Sequence, residues 1–250
     1  MVLRFFLFAG IFLLISCTDF KRDNPYDPEG INFVGDQSSS SKPSSSSAGS
    51  VPSGGKGNDI LEYETKKIDN QVWMAENLNY AVAGSKCGNG SSLSDTDTET
   101  CDTYGRLYNW ATAMNLPDSC NSSSCVSQIR AKHQGICPKG WHIPSDAEWT
   151  TLTNFVGPKE GTQLKAKDGW NLESSIPGSN NHGFAALPGG HGGSDDSFDD
   201  VGFTGAWWTA TEYDASYAYS RYIYHNNEDV YRYDYYDKGN HLLSVRCVQD

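Results

Sequence analysis

Val230-Tyr231-Arg232-Tyr233-Asp234-Tyr235-Tyr236 alternates rings with other side chains at a period of two, the spacing of a β-strand with one face turned to its neighbours. Tyr231, Tyr233 and Tyr235 are expected on one face, and Val230, Arg232 and Asp234 on the other. Upstream, Asn226-Asn227-Glu228-Asp229 reads as the turn that joins this strand to another at 217–225, and Ala206-Trp207-Trp208-Thr209-Ala210-Thr211 as the strand before that. Downstream, Lys238-Gly239-Asn240 leads into a last strand over 241–248, with Leu243, Val245 and Cys247 facing inward. Near the start of the same domain, residues 60–65 read as extended and Gln71-Val72-Trp73-Met74 as a strand, so that Asp69-Asn70 makes a hairpin.

Two helices are expected between these strands. Leu107, Trp110, Ala111 and Met114 have helical spacing within 103–115, and Leu116-Pro117 stops that run. Ser145-Asp146-Ala147-Glu148 has the form of a capping box, followed by Trp149, Leu152, Phe155 and Val156 as a buried face and Gly157-Pro158 as the stop. From 159 to 205, Gly, Asn, Asp, Ser and Pro dominate, which predicts a long loop region of the kind that is functional or cross-linked. The fold class is therefore α+β: two short helices packed on a twisted antiparallel sheet, with a long loop excursion.

The chain has 250 residues with 31 acidic and 19 basic side chains, and its net charge of −12 argues against nucleic acid as a partner. Arg4 precedes an apolar run over 5–15 that is too short to span a bilayer but suits the core of an export signal. Leu14-Ile15-Ser16-Cys17 resembles the lipobox of bacterial lipoproteins. The resemblance implies that residues 1–16 are removed, that Cys17 carries lipid, and that the membrane is a partner through this anchor. Thr18 in place of Asp after the cysteine implies the outer membrane or cell surface. Residues 17–58 read as a tether, since 38–53 hold ten serines in sixteen positions and offer little apolar surface to offset ordering. The flexible part, 36–59, would span about 25–30 Å. The globular domain is assigned to 59–250.

With Cys17 acylated, Cys87, Cys101, Cys120, Cys125, Cys137 and Cys247 remain, an even number in an exported chain. The favoured pairing is Cys87–Cys101 and Cys120–Cys125 as staples of polar loops, with Cys137–Cys247 tying mid-domain to the last strand. Zinc is the rival, but the chain has no C-x2-C pair and its six histidines are scattered.

Six segments resemble the Fibrobacter succinogenes major paralogous domain. They are Trp73-Met74-Ala75-Glu76-Asn77-Leu78-Asn79-Tyr80, Tyr104-Gly105-Arg106-Leu107-Tyr108-Asn109-Trp110, the run from Cys137-Pro138-Lys139-Gly140-Trp141 to Glu148-Trp149, Gly183-Phe184-Ala185-Ala186-Leu187-Pro188-Gly189-Gly190, Trp207-Trp208-Thr209-Ala210-Thr211-Glu212 and Ser244-Val245-Arg246-Cys247-Val248. The resemblance implies a C-type-lectin-like fold, and Ile143-Pro144-Ser145-Asp146-Ala147-Glu148-Trp149 is similar to a helix start in formylglycine-generating sulfatase modifiers. Lipoprotein signals and Ser-rich linkers commonly accompany such domains.

Carbohydrate sites set aromatic faces against the C–H surfaces of a pyranose and use carboxylates and amides for its hydroxyls. Nine of the fourteen tyrosines fall between Tyr213 and Tyr236. The candidate ligand-binding residues are Trp207, Trp208, Glu212, Tyr217, Tyr219, Asn226, Asn227, Tyr231 and Tyr233, for a polysaccharide or a surface protein. The plainer reading makes these rings core and sheet cover, because Tyr is a good strand residue. Asp195, Asp196, Asp199 and Asp200 offer the hard oxygens that Ca²⁺ takes, but their spacing is not that of an EF-hand and the lectin calcium motifs are absent, so a solvated acidic loop with no cofactor is expected. No HExxH, GxSxG, phosphate-loop or dinucleotide signature is present. The reactive cysteines of the sulfatase modifiers have no counterpart if all six are bridged. A paired-carboxylate glycosidase would place Glu212 with Asp195 or Asp199. The sequence thus predicts a non-catalytic, envelope-anchored binding domain, with a structural or protein-interaction component as the alternative.

Overall fold

Asp69, with its backbone in the left-handed region (φ 54°), turns the chain between β1 (Thr65–Ile68) and β2 (Gln71–Met74), which pair antiparallel as the expected hairpin. The computed structural model describes residues 56–250 other than 90, 96, 97, 172 and 174. The expected signal segment 1–16, Cys17 and the tether up to residue 55 lie outside the described residues. Following the hairpin come β3 (Cys87–Asn89), β4 (Ser92–Ser94), α1 (Glu99–Tyr104), β5 (Leu107–Tyr108), α2 (Trp110–Met114), β6 (Trp141–His142), α3 (Asp146–Val156) and α4 (Glu160–Leu164). The chain then runs through β7 (Gly189–Gly193), β8 (Phe198–Val201), β9 (Thr204–Glu212), β10 (Tyr217–Tyr224), β11 (Tyr231–Asp237), β12 (His241–Ser244) and β13 (Val248–Gln249). Among the described residues these strands form a four-stranded sheet, β1-β2-β13-β6, a larger sheet, β11-β10-β9-β12-β7-β8 with β5 added on β12, and the hairpin β3-β4. The architecture is mixed α+β, mostly sheet with a few short helices.

Four sequence expectations are corrected. The helix expected over 103–115 is broken in two. Gly105 has φ 78°, and a Cβ there would stand 2.7 Å from Cβ of Asn77. Leu107 then pairs with Ser244 as strand, and a new helix starts where the Asn109 side chain accepts from the Thr112 amide at 2.8 Å. Residues 60–62 form a 3₁₀ turn rather than a strand, closed by the Tyr63 amide on the Ile60 carbonyl. The region 159–205 is not wholly irregular, since it holds α4, β7 and β8. β7 reads Gly-Gly-His-Gly-Gly, a composition that hides a strand, and it pairs with β8, β9 and β12 because side chains at Gly190 and Gly192 would collide with the Asp199 carbonyl and Leu93. Finally, the large sheet is not purely antiparallel: β9 runs parallel to both β12 and β7.

The capping box forms as expected, with the Ser145 hydroxyl accepting from the Glu148 amide at 3.2 Å and the Glu148 carboxylate accepting from the Ser145 amide at 2.8 Å. Trp149, Leu152 and Val156 are buried on the resulting helix, whereas Phe155 is 48% exposed because it lies one step round from that stripe. The same carboxylate accepts from Nε2 of His142 at 2.8 Å, while Nδ1 faces Asp250 at 2.8 Å. Burial works against the imidazolium, but the hydrogen bonds and charges of Glu148 and Asp250 outweigh it and raise the His142 pKa. Burial likewise acts to raise the Glu148 pKa, yet His142 and Ser145 together lower it. The His142 contribution to stability is therefore whole below its unfolded value of 6.5 and is lost as pH rises through the folded value; that of Glu148 is whole above 4.5 and is lost on acidification. Urea unfolding of the full chain should give its greatest stability between those two values, and His142→Gln should flatten the decline on the alkaline side. An unchanged profile in the variant would remove His142 as its cause.

β9 explains why two adjacent tryptophans vanish from the surface. Alternation sends Trp207 to one face of the sheet and Trp208 to the other, and both are 0% exposed. Trp208 joins Met74, Tyr108, Trp110, Leu243 and Val245. Trp207 joins Trp73, Trp149, Phe184 and Ile223, with the Trp73 and Trp149 centroids 5.0 Å apart. The end of the chain is buried on both sides as well, with Leu242 through Val248 all inside, and the single expected strand divides so that β12 serves one sheet and β13 the other. Three disulfides, Cys87–Cys101, Cys120–Cys125 and Cys137–Cys247, bridge Cα separations of 5.3, 5.5 and 6.0 Å, the arrangement favoured from the loops.

A buried guanidinium sits on the link between β12 and β13. Arg246 is 0% exposed, and burial pulls its pKa down to about 9. Its Nε and Nη2 donate to Oδ1 of Asn77 at 3.1 and 2.6 Å, its Nη1 to the Phe184 carbonyl, and its plane lies 4.4 Å from the Phe184 ring centroid. Asn77 Oδ1 also accepts from the Trp207 indole at 2.8 Å, while Asn77 Nδ2 donates to the Tyr104 carbonyl at 2.7 Å and the Ser244 hydroxyl at 3.3 Å.

Candidate ligand-binding face

The tyrosines of β10 and β11 come together through a change of register. Tyr222 is opposite Tyr231 and Ser220 opposite Tyr233, but Ala218 is opposite Tyr236, so β11 carries an extra residue at a bulge. The period of two therefore fails after Tyr233. Tyr236, expected on the far side, continues the face of Tyr231 and Tyr233, and Tyr235 stands out at the bulge, 55% exposed. Tyr222 stacks on Tyr236 at 5.4 Å and 12°. Tyr231 and Tyr233 lie 6.0 Å apart and 10° from parallel, and Tyr235 packs 4.7 Å from Tyr233 and 5.3 Å from Tyr236. Tyr222 and Tyr236 are buried beneath; Tyr224, Tyr231 and Tyr233 are half-buried.

Hydrogen bonds fix the rim. Tyr224 and Tyr233 hydroxyls meet at 3.1 Å, Asn227 Nδ2 donates to the Tyr231 hydroxyl, and the Tyr222 hydroxyl meets Nδ1 of His191 at 3.1 Å. His241 packs edge-on to Tyr236 at 4.7 Å. Burial lowers the pKa of both histidines, keeping them neutral, and raises those of Tyr233, Tyr235 and Tyr236 to about 12. The turn that carries Asn227 is itself held by the fully buried Lys165, whose ammonium donates to the carbonyls of Ile176, His225 and Asn227 at 3.2, 2.9 and 2.8 Å.

Of the residues nominated from sequence, Tyr231, Tyr233 and Asn227 belong to this face, and exposed Asn226 lies on the adjoining turn. Trp207 and Trp208 do not belong to it, because a central strand buries both of its faces. Glu212 is also misplaced as a ligand residue: its carboxylate accepts from the buried Lys238 at 2.9 Å, the Cys125 amide at 2.8 Å and the Ser124 hydroxyl at 2.7 Å. Burial acts to raise its pKa, but those three partners outweigh it and hold the carboxyl low. It anchors the loop closed by Cys120–Cys125. Tyr219 packs with Tyr213 at 5.4 Å beneath the Arg232 guanidinium at 3.7 Å, on the side of β11 opposite Tyr231. Tyr217 stands at the start of β10, across from Asp237. Tyr222, Tyr224, Tyr235, Tyr236, His191 and His241 were not nominated; the doubled Tyr235-Tyr236 was the one local sign of a bulge.

The acidic residues do not converge. Asp195 turns back onto the Ser197 amide at 3.1 Å, Asp196 pairs with Lys86 at 3.4 Å, and Asp199 stands across from His191 in the β7–β8 ladder. Among the described residues no three His, Cys, Asp or Glu side chains are grouped closely enough to hold a metal ion. A depression of about 300 Å³ lined by Glu99, Thr100, Thr103, Tyr104, Phe198 and Val201 contains none of the nominated residues.

No curated protein and no solved structure matches the chain. The family model described as Fibrobacter succinogenes major domain matches residues 67–249. This span takes in the tyrosine face and, but for the first two residues of β1, both larger sheets, and the chain belongs to that family.

Proposed function

We propose that the protein is a cell-envelope lipoprotein, anchored through Cys17 to the outer membrane or cell surface, whose C-type-lectin-like domain binds carbohydrate without catalysis on the tyrosine face. The observation that carries this reading is the set Tyr231, Tyr233 and Tyr235, offered at the surface and stiffened from below by Tyr222 and Tyr236. A rigid aromatic surface loses little conformational entropy on binding, and its rings suit the C–H faces of a sugar while hydroxyls and amides meet the sugar oxygens. The lipobox-like Leu14-Ile15-Ser16-Cys17 and the ten serines within 38–53 support anchoring and display away from the bilayer.

Affinity electrophoresis of the full chain in detergent, in gels cast with polysaccharides, tests the binding. Retardation is expected, with Tyr231→Ala and Tyr235→Ala each weakening it about tenfold. Mobility unaltered by every polymer would end the carbohydrate reading. Mass spectrometry of the purified protein should find diacylglycerol on Cys17, and Cys17→Ser should release the chain from membranes. One observation favours a second reading, that of a protein-interaction component: β11 is the terminal strand of its sheet among the described residues, and a terminal strand can pair with a partner's strand. Such binding would survive an excess of soluble glycan.

A further inference from the structure

We infer that the glycan bound at the tyrosine face is uncharged, a neutral hexose or pentose polymer rather than a uronate, sulfated or phosphorylated one. This rests on the carbohydrate reading above and adds the class of ligand to it. Acids border the face. Exposed Asp199 stands across from His191 in the β7–β8 ladder, and the charge of its half-buried neighbour Asp200 adds to burial in raising the pKa values of Tyr222, Tyr224 and Tyr236.

The basic groups nearby are spent elsewhere. Arg232 alternates to the opposite face of β11, where it and Arg221 bind the Asp146 carboxylate at 2.8 and 2.6 Å. Lys238 and Lys165 are 0% exposed, one held by Glu212 and the other by three carbonyls. The two histidines of the face are kept neutral by burial, so they supply no cation.

What remains for a ligand is a set of rings and neutral hydroxyls. The Tyr231 hydroxyl, which accepts from Asn227, keeps its own proton to donate. A sugar hydroxyl can both donate to and accept from such groups. A carboxylate or sulfate would give up hydration beside aspartates and gain no counter-charge, so it is selected against.

The test uses two pairs of neutral and acidic polymers: hydroxyethyl cellulose with carboxymethyl cellulose, which share a backbone, and galactan with polygalacturonate, which differ in linkage as well as charge. The full chain should be retarded by at least one neutral member and bind its acidic counterpart at least tenfold more weakly at low salt, with the gap narrowing as salt is added. The double variant Asp199→Asn, Asp200→Asn should bind the acidic polymers several-fold better than the parent chain does. Equal or tighter binding of the acidic members by the parent chain would overturn this inference and leave the carbohydrate reading standing. Failure of all four polymers, with the wider panel also unbound, would overturn both.

Discussion

Asn77→Ala should cost about 3–5 kcal/mol of stability, more than almost any surface change could. The single oxygen it removes serves two guanidinium nitrogens of Arg246 and the indole of Trp207. Without it, a charge with no exposed surface keeps only the carbonyls of Phe184 and Ala185. Water cannot replace the lost acceptor without opening the packing of Trp149, Phe184 and Trp207, whose centroids lie 5.6 to 6.4 Å apart. Arg246→Met should cost less, because it removes the charge together with its need for partners and leaves Asn77 bound to Trp207. Urea unfolding of the two full-length variants, followed by tryptophan fluorescence, orders them; a smaller loss for Asn77→Ala than for Arg246→Met would refute the role given to Asn77.

Removing Cys137–Cys247 as the double alanine variant should cost a similar amount, about 4–5 kcal/mol on the loop-entropy account, since the bridge spans 110 residues of sequence. Cys120–Cys125 spans only 5, so its removal should cost about 2 kcal/mol. Both bridges are buried, and comparison of the two double variants tests whether loop length governs the difference. Equal losses would mean that local packing governs instead.

The strands of the C-terminal third, the capping box and the bridges were legible because each is specified by neighbours in sequence: a period of two, a Ser and a Glu three apart, cysteines in polar loops. The broken helix was not, because Leu107 owes its strand conformation to Ser244, far along the chain. β7 was not, because glycine is a poor strand residue that is used here for close approach. At the site, the alternation around Tyr231 correctly placed Tyr233 and missed Tyr236, since a bulge is set by pairing with β10 rather than by β11 alone. Trp207 and Trp208 lie off the face because β9 is covered on both sides, and the adjacent pair alone does not distinguish such a strand from one with a bare face. The six segments that resemble the family converge on the Arg246 cluster through Asn77, the Tyr104 carbonyl, Trp149, Phe184, Trp207 and Arg246 itself. They are framework. β11, which supplies the exposed rings, lies outside all six.

β13 lies between β2 and β6, and β12 between β9 and β7, so residues 241–249 are stitched into the middle of both sheets. The four-stranded sheet cannot close until that stretch has been made, whereas the larger sheet without β12 keeps only the Gly190–Gly205 pairing to join β7 with β9. Contacts so distant in sequence form slowly, and in a chain emerging N-terminus first the joining of β2 to β6 through β13 is the last step of sheet assembly.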